Sequence, residues 1–243
     1  MTAARADIIA QLQRDILPLE GYKPVPGGVL EIIGLGAVNA AFPDAQFPLG
    51  AVHEFICKGA EEKVAAGGFI AGILAALMQR GGVCVWIGKV RTVFPPALVA
   101  FGIAPERVIF VEQAKEKELL WAVEEALKCE GLAAVVSELS DLDFTTSRRL
   151  QLAVEKSRVT GFIVRVNPRK LNTTACVTRW KISSLPSEIY GDLPGVGYPR
   201  WQVQLQKVRN GRPGNWRIEW QEGRFRHVPA LSVVPELLER KAG

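Results

Sequence analysis

The chain has 243 residues, 48% hydrophobic and 23% charged, enough for one sizeable core and unlike a disordered composition. Four scattered cysteines without a C-x-x-C pair, together with only two histidines, argue against a zinc ribbon, thioredoxin-type chemistry or a histidine-rich metal site. The formal charge of +5 is uneven: residues 1–164 hold 16 Lys/Arg against 19 Asp/Glu, whereas residues 165–226 hold 12 against 4, a net of +8.

From the N-terminus, a helix is expected near Arg5 to Leu17, with Ile8, Ile9, Leu12 and Ile16 on one face. Asp7, Arg14 and Asp15 interrupt its apolar residues, so it reads as a surface helix and not as a secretory signal. Residues 1–28 are therefore an N-terminal helix with a Pro/Gly-rich arm, in which Ile8 and Leu12 are candidate partner contacts. A short strand, Val29 to Ile33, opens a core expected over residues 29–228.

Residues 51–87 show a strand (Ala51 to Ile56), a glycine-containing loop, an apolar helix (near Gly68 to Arg80) and a second strand (Val83 to Ile87). This is the order of a P-loop unit, but a working loop needs G-x-x-x-x-G-K-[ST] to cradle phosphates, reach them with Lys and hold Mg²⁺ by the hydroxyl. Here it ends Ala65-Ala66-Gly67-Gly68-Phe69, and the nearby Lys63 sits beside Glu61 and Glu62. The apolar run of the helix is too short to span a bilayer, so no membrane segment is expected and the protein is placed in the cytoplasm.

Further apolar strands are expected at Arg107 to Val111, Leu132 to Val136 and Phe162 to Val166, with helices at Lys115 to Cys129 and Thr145 to Arg158, the latter capped by a Thr. Alternating strands and helices imply a mostly parallel sheet. Ser137 stands where a Mg²⁺-binding Asp is needed, with Glu138 one residue late and expected to face the other side. Lys89 and Arg91 follow the second strand where a water-activating carboxylate belongs, while Asn167 survives at a position that often senses nucleotide. The reading is an α/β fold of RecA-like P-loop type with degenerate Walker motifs, no catalytic residues and no cofactor.

From Ala175 to Phe225 the pattern changes to period two, expected as antiparallel strands appended to the parallel sheet. Arg165, Arg169, Lys170, Arg179, Lys181, Lys207, Arg209, Arg212 and Arg217 lie in or beside this region, interleaved with Trp180, Trp201, Trp216, Trp220 and Phe225. Cations between aromatic platforms suit single-stranded DNA; equally, alternating Trp residues suit a core and strand cations a solvated or protein-binding face. In the tail, residues 229–243, Leu231, Val234, Leu237 and Leu238 form an apolar stripe broken by Pro235, a candidate partner-docking face or a cap on the chain's own core.

Several segments in order, FPLGAVHEF, RTVFPPAL, KCEGLAAVV, RRLQLAVEKSRVTGFIVR, NTTACVTRWKI and GYPRWQVQLQKVRNGRPGNWRIEW, make nearly the whole chain resemble the ImuA family, most closely its Bacteroidetes-type members. The resemblance implies a RecA-like accessory protein of damage-induced, error-prone translesion synthesis. It implies as partners an ImuB-like Y-family polymerase homologue and an error-prone replicative-type DNA polymerase, with RecA and single-stranded DNA as further candidates. The family is also similar to the cell-division inhibitor SulA, which leaves division inhibition, and a residual DNA-stimulated ATPase, as alternatives. It transfers no site residue.

Overall fold

A computed structural model describes residues 33–79, 81–188 and 196–228. The N-terminal helix with Ile8 and Leu12, the strand from Val29 up to its last residue, and the tail with Leu231, Val234, Leu237 and Leu238 lie outside the described residues. Ile33 is buried in a bend and not in a strand.

Among the described residues nine strands form one sheet: β1 (Val52–Cys57), β2 (Val83–Gly88), β3 (Val108–Glu112), β4 (Leu132–Leu139), β5 (Thr160–Val166), β6 (Thr178–Leu185), β7 (Arg200–Val208), β8 (Gly214–Gln221) and β9 (Arg224–His227). Their order is β3-β2-β4-β5-β1-β6-β7-β8-β9. β3 to β6 are all parallel, and the antiparallel part begins only at β7. This corrects one expectation: the first period-two segment is a sixth parallel strand, paired with β1 through His53, Glu54 and Phe55, and only its other edge meets an antiparallel neighbour. Period two reports that one face is less buried than the other, and both strand directions satisfy it.

Among the described residues three α-helices cover the sheet. α1 (Gly59–Met78) packs on one face, in a core with Phe55, Phe162, Trp180, Trp201 and Phe225. α2 (Glu116–Leu127) and α3 (Phe144–Ser157) pack on the other, where Leu119, Val123, Leu150 and Val154 meet Val52, Val135 and Ile163. Two helices fall close to the expected spans. The cap of α3 differs: Asp143, not a Thr, accepts from the Thr146 N–H at 2.6 Å, because a carboxylate at the N-cap satisfies an orphan donor and suits the helix dipole. This holds the Asp143 carboxyl below its ordinary pKa range. No helix among the described residues is long and apolar enough to cross a membrane.

α1 is bounded by aromatic rings and uses glycine to admit them. A Cβ on Gly72 would lie 2.4 Å from Phe225 Cζ and 3.0 Å from Trp220 Cε3, and one on Gly68 would lie 3.2 Å from Trp201. The antiparallel strands therefore fold back onto α1, which is why its middle turns are buried all round.

Candidate functional site

In an open α/β sheet, ligands enter at the carboxyl ends of the strands where successive connections leave to opposite faces. Here β1 leads to α1 on one face and β4 leads to α3 on the other, so the ends of β1, β5 and β4 define that crevice. Its most consequential feature is the start of α1. The expected glycine-containing loop is absent: α1 begins at Gly59, one residue after β1, and Ala65 to Phe69 lie inside the helix. Ala and consecutive apolar residues continue a helix, and packing against the sheet outweighs the cost of Gly67 and Gly68.

Two exposed donors at this helix start are satisfied by the chain itself. Lys58 N–H donates to Glu62 Oε2 at 2.7 Å, and Gly59 N–H donates to Asn167 Oδ1 at 2.8 Å. Those are two of the groups that would hold an anion at a helix N-terminus, and a carboxylate and an amide already occupy them. Asn167 thus acts as a cap, from a left-handed backbone at φ 49 that Asn tolerates.

Charge around the crevice is also internally matched. Lys63 Nζ lies 2.5 Å from Glu138 Oε2, and Lys181 Nζ lies 3.1 Å from Glu62 Oε1. Trp86 Nε1 and Thr92 Oγ1 donate to Glu138 Oε1 at 3.2 and 2.8 Å. Glu138 faces the other side from Ser137, as strand alternation predicts, and that side is α1, while Ser137 is buried on the α2–α3 side with Val135 and Leu139. Strand alternation requires this once Ala134 and Val136 are fixed in the α1 core. Lys89 reaches Glu116 at 3.8 Å, and the Arg91 guanidinium lies over Phe110 at 5.7 Å.

Of the nine cations singled out in the sequence, Lys181 is held by Glu62 and the other eight separate into two groups. Arg165, fully buried, binds Glu54 Oε2 at 3.1 Å and the Lys170 carbonyl at 3.0 Å. Arg179 binds Glu54 Oε1 at 2.9 Å and the Asn172 carbonyl at 2.6 Å. Lys207 donates to the carbonyls of Thr174 and Cys176, and Arg209 to that of Ala175. Burial pulls the Lys207 ammonium below the ordinary lysine range. These four hold the 167–177 connection onto the sheet. Arg169, Lys170, Arg212 and Arg217 remain exposed, with Arg169 4.0 Å from Asp141. The aromatics do not accompany them: Trp180, Trp201, Trp220 and Phe225 are buried in the α1 core, and Trp216 is half-buried at its margin.

Sequence reasoning did not single out Glu62 and Glu138 as partners of the site, nor the apolar groove beside it, which Val64 and Phe94 line while 74% and 69% exposed. His53 is structural in placement, with Nε2 donating to the Pro48 carbonyl at 2.9 Å and Nδ1 2.8 Å from Thr178 Oγ1. Cys57, Cys84 and Cys176 are buried, their thiols pushed up to about 12 chiefly by burial. Among the described residues no cluster of His, Cys, Asp and Glu could hold a metal ion.

No family model matches the chain. Among curated proteins, 216 residues align at 35% identity with the protein ImuA of Caulobacter vibrioides strain NA1000 / CB15N, covering 84% of this chain and 88% of the relative. The protein ImuA of strain ATCC 19089 / CIP 103742 / CB 15 aligns with the same identity and coverage. Identity at this level over nearly the full length of both proteins means that the chain belongs to the ImuA family.

Proposed function

We propose that the protein is a non-enzymatic adaptor of the error-prone DNA damage response, built on a RecA-like core whose nucleotide site has been closed. Membership of the ImuA family supports the damage-response role. Support for the RecA-like core comes from β1, inside the sheet, leading directly to a helix that crosses β5 and β4 to reach β2, the strand-helix-strand unit of P-loop domains. The observation that carries the non-enzymatic reading is the start of α1, where Glu62 and Asn167 take two of the N–H groups a phosphate would need and Glu138 takes Lys63. A triphosphate would have to displace two carboxylates from cations and donors at once, against repulsion from the same carboxylates.

The partners that fit this role are an ImuB-like Y-family polymerase homologue and an error-prone replicative-type polymerase. Two measurements test it. Calorimetry with Mg·ATP is expected to give no binding tighter than about millimolar, about −4 kcal/mol; submicromolar affinity or DNA-stimulated turnover would sink the non-enzymatic reading. Co-purification with the two polymerases is expected to retain the Y-family homologue. Retention of the division GTPase instead would favour the division-inhibitor alternative.

A further inference from the structure

From the Lys63–Glu138 pair at the closed crevice, an open groove of about 710 Å³ extends along the outer side of α1. Val64 and Gly67 lie in its floor, Phe94 and Phe101 on one wall, and Leu185 and Trp201 on the other. With Val64 74% and Phe94 69% exposed, apolar surface stands uncovered beside apolar walls, a composition suited to an apolar occupant rather than to water. From Ala60 to Ala71 the floor is about 16 Å long, at the rise of an α-helix.

The sheet itself brings one segment of this chain near. The Val228 N–H bonds to the Arg217 carbonyl at 2.8 Å, just past the end of β9. β9 is two strands from β7, which contributes Trp201 to the groove wall, a separation of about 10 Å at ordinary strand spacing. Residues 229–243 follow, 15 in number, and reach about 22 Å as helix or about 50 Å extended. Their Leu231, Val234, Leu237 and Leu238 supply apolar side chains to match those lining the groove, and Glu236, Glu239, Arg240 and Lys241 supply polar ones for the solvent side.

We propose that residues 229–243 of the same chain bind in this groove and cover Val64 and Phe94. A tether this short holds the segment at an effective concentration of about millimolar, so modest intrinsic affinity suffices to keep it seated. The proposal goes beyond the adaptor reading and stands without it.

The test uses the full chain with Cys129→Ser, since the other three cysteines are buried. Val64→Cys is combined with Leu237→Cys and oxidised under native conditions at about 1 µM protein, far below the intramolecular effective concentration. The control combines Leu152→Cys, 49% exposed on α3 at the opposite face, with Leu237→Cys. The expected result is an intramolecular disulfide, seen as loss of two thiols in a monomer, forming at least about tenfold faster for the Val64 pair than for the control. Equal rates, no cross-link, or a predominance of disulfide-linked dimers would each overturn the proposal, the last pointing to a second copy as occupant. Amide exchange on the unsubstituted chain provides an independent reading: residues 229–243 are expected to be protected and to lose that protection in Phe94→Asp. Exchange at unprotected rates in the parent overturns the proposal.

Discussion

Protonation at His53 shows how a single side chain ties stability to pH. Trp180 Nε1 donates to Thr178 Oγ1 at 2.6 Å, leaving that hydroxyl to donate to His53 Nδ1 while Nε2–H donates to Pro48. The arrangement needs a neutral imidazole, and burial, opposed in part by the Pro48 hydrogen bond, lowers the pKa to about 3. Because the unfolded chain binds a proton near pH 6.5 and the folded one does not, this contribution is full above that pH and is lost as pH falls towards 3. Stability from this residue should fall by about 1.4 kcal/mol per pH unit in that window, roughly 2 kcal/mol at pH 5. Chemical denaturation from pH 7 to pH 5 checks this, and His53→Gln should lose about one proton's worth of slope. At Gly72 the contest is steric. Alanine favours a helix by about 1 kcal/mol over glycine, but its Cβ would meet Phe225 at 2.4 Å in a ring held by Phe69 and Trp220. Overpacking of this kind costs about 1–3 kcal/mol, so Gly72→Ala is expected to lower the urea midpoint despite its better propensity.

At the scale of elements, the 167–177 connection is stable because buried cations satisfy its carbonyls and Glu54 satisfies the cations. Thr174 Oγ1 donates to Glu54 Oε1 at 2.5 Å, so the carboxylate receives the Thr and two guanidinium groups. Glu54→Gln keeps the shape and removes the charge, leaving Arg165 fully buried without a counterion. Breaking a buried pair from one side costs about 3–5 kcal/mol, far more than the 0–1 kcal/mol of an exposed pair such as Lys115–Glu118. Equilibrium unfolding of Glu54→Gln and Glu118→Gln is expected to separate by that margin; equal effects would mean that water already reaches the Glu54 cluster. The start of α1 follows the same logic on the surface, since Asn167 and Glu62 satisfy helix donors that would otherwise await an anion.

For the whole molecule, the +8 of residues 165–226 overstates the cationic surface. Arg165, Arg179, Lys207 and Arg209 are directed at protein carbonyls or Glu54, leaving Arg169, Lys170, Arg212 and Arg217 exposed among the nine. At about −0.7 in log affinity per log salt for each single-strand phosphate contact, these four support a slope no steeper than about −3. Titration of an oligonucleotide between low and physiological salt measures it. Arg212→Glu with Arg217→Glu should flatten the slope, whereas Arg209→Ala should lower the melting temperature instead. A slope near −6 would mean that cations beyond these four, such as the exposed Arg224 and Arg226, also reach phosphates.

The sequence by itself determined the alternation of strands and helices, the apolar strands and the two amphipathic helices, because periodicity and burial are local consequences of which residues are apolar. The missing Lys and hydroxyl were visible for the same reason: a motif is a matter of residue type and spacing. Tertiary structure alone decided which way side chains and strands turned. Arg179 and Trp180 are neighbours in sequence, yet the sheet sends one to Glu54 and the other into the α1 core. Glu138 faces α1 because Ala134 and Val136 are committed to that core, and β6 is parallel because its free edge adjoins β1. The loop expected after β1 became helix because rings from β7, β8 and β9, distant in sequence, pack against Gly68 and Gly72. Such contacts are long-range, and no local pattern encodes them.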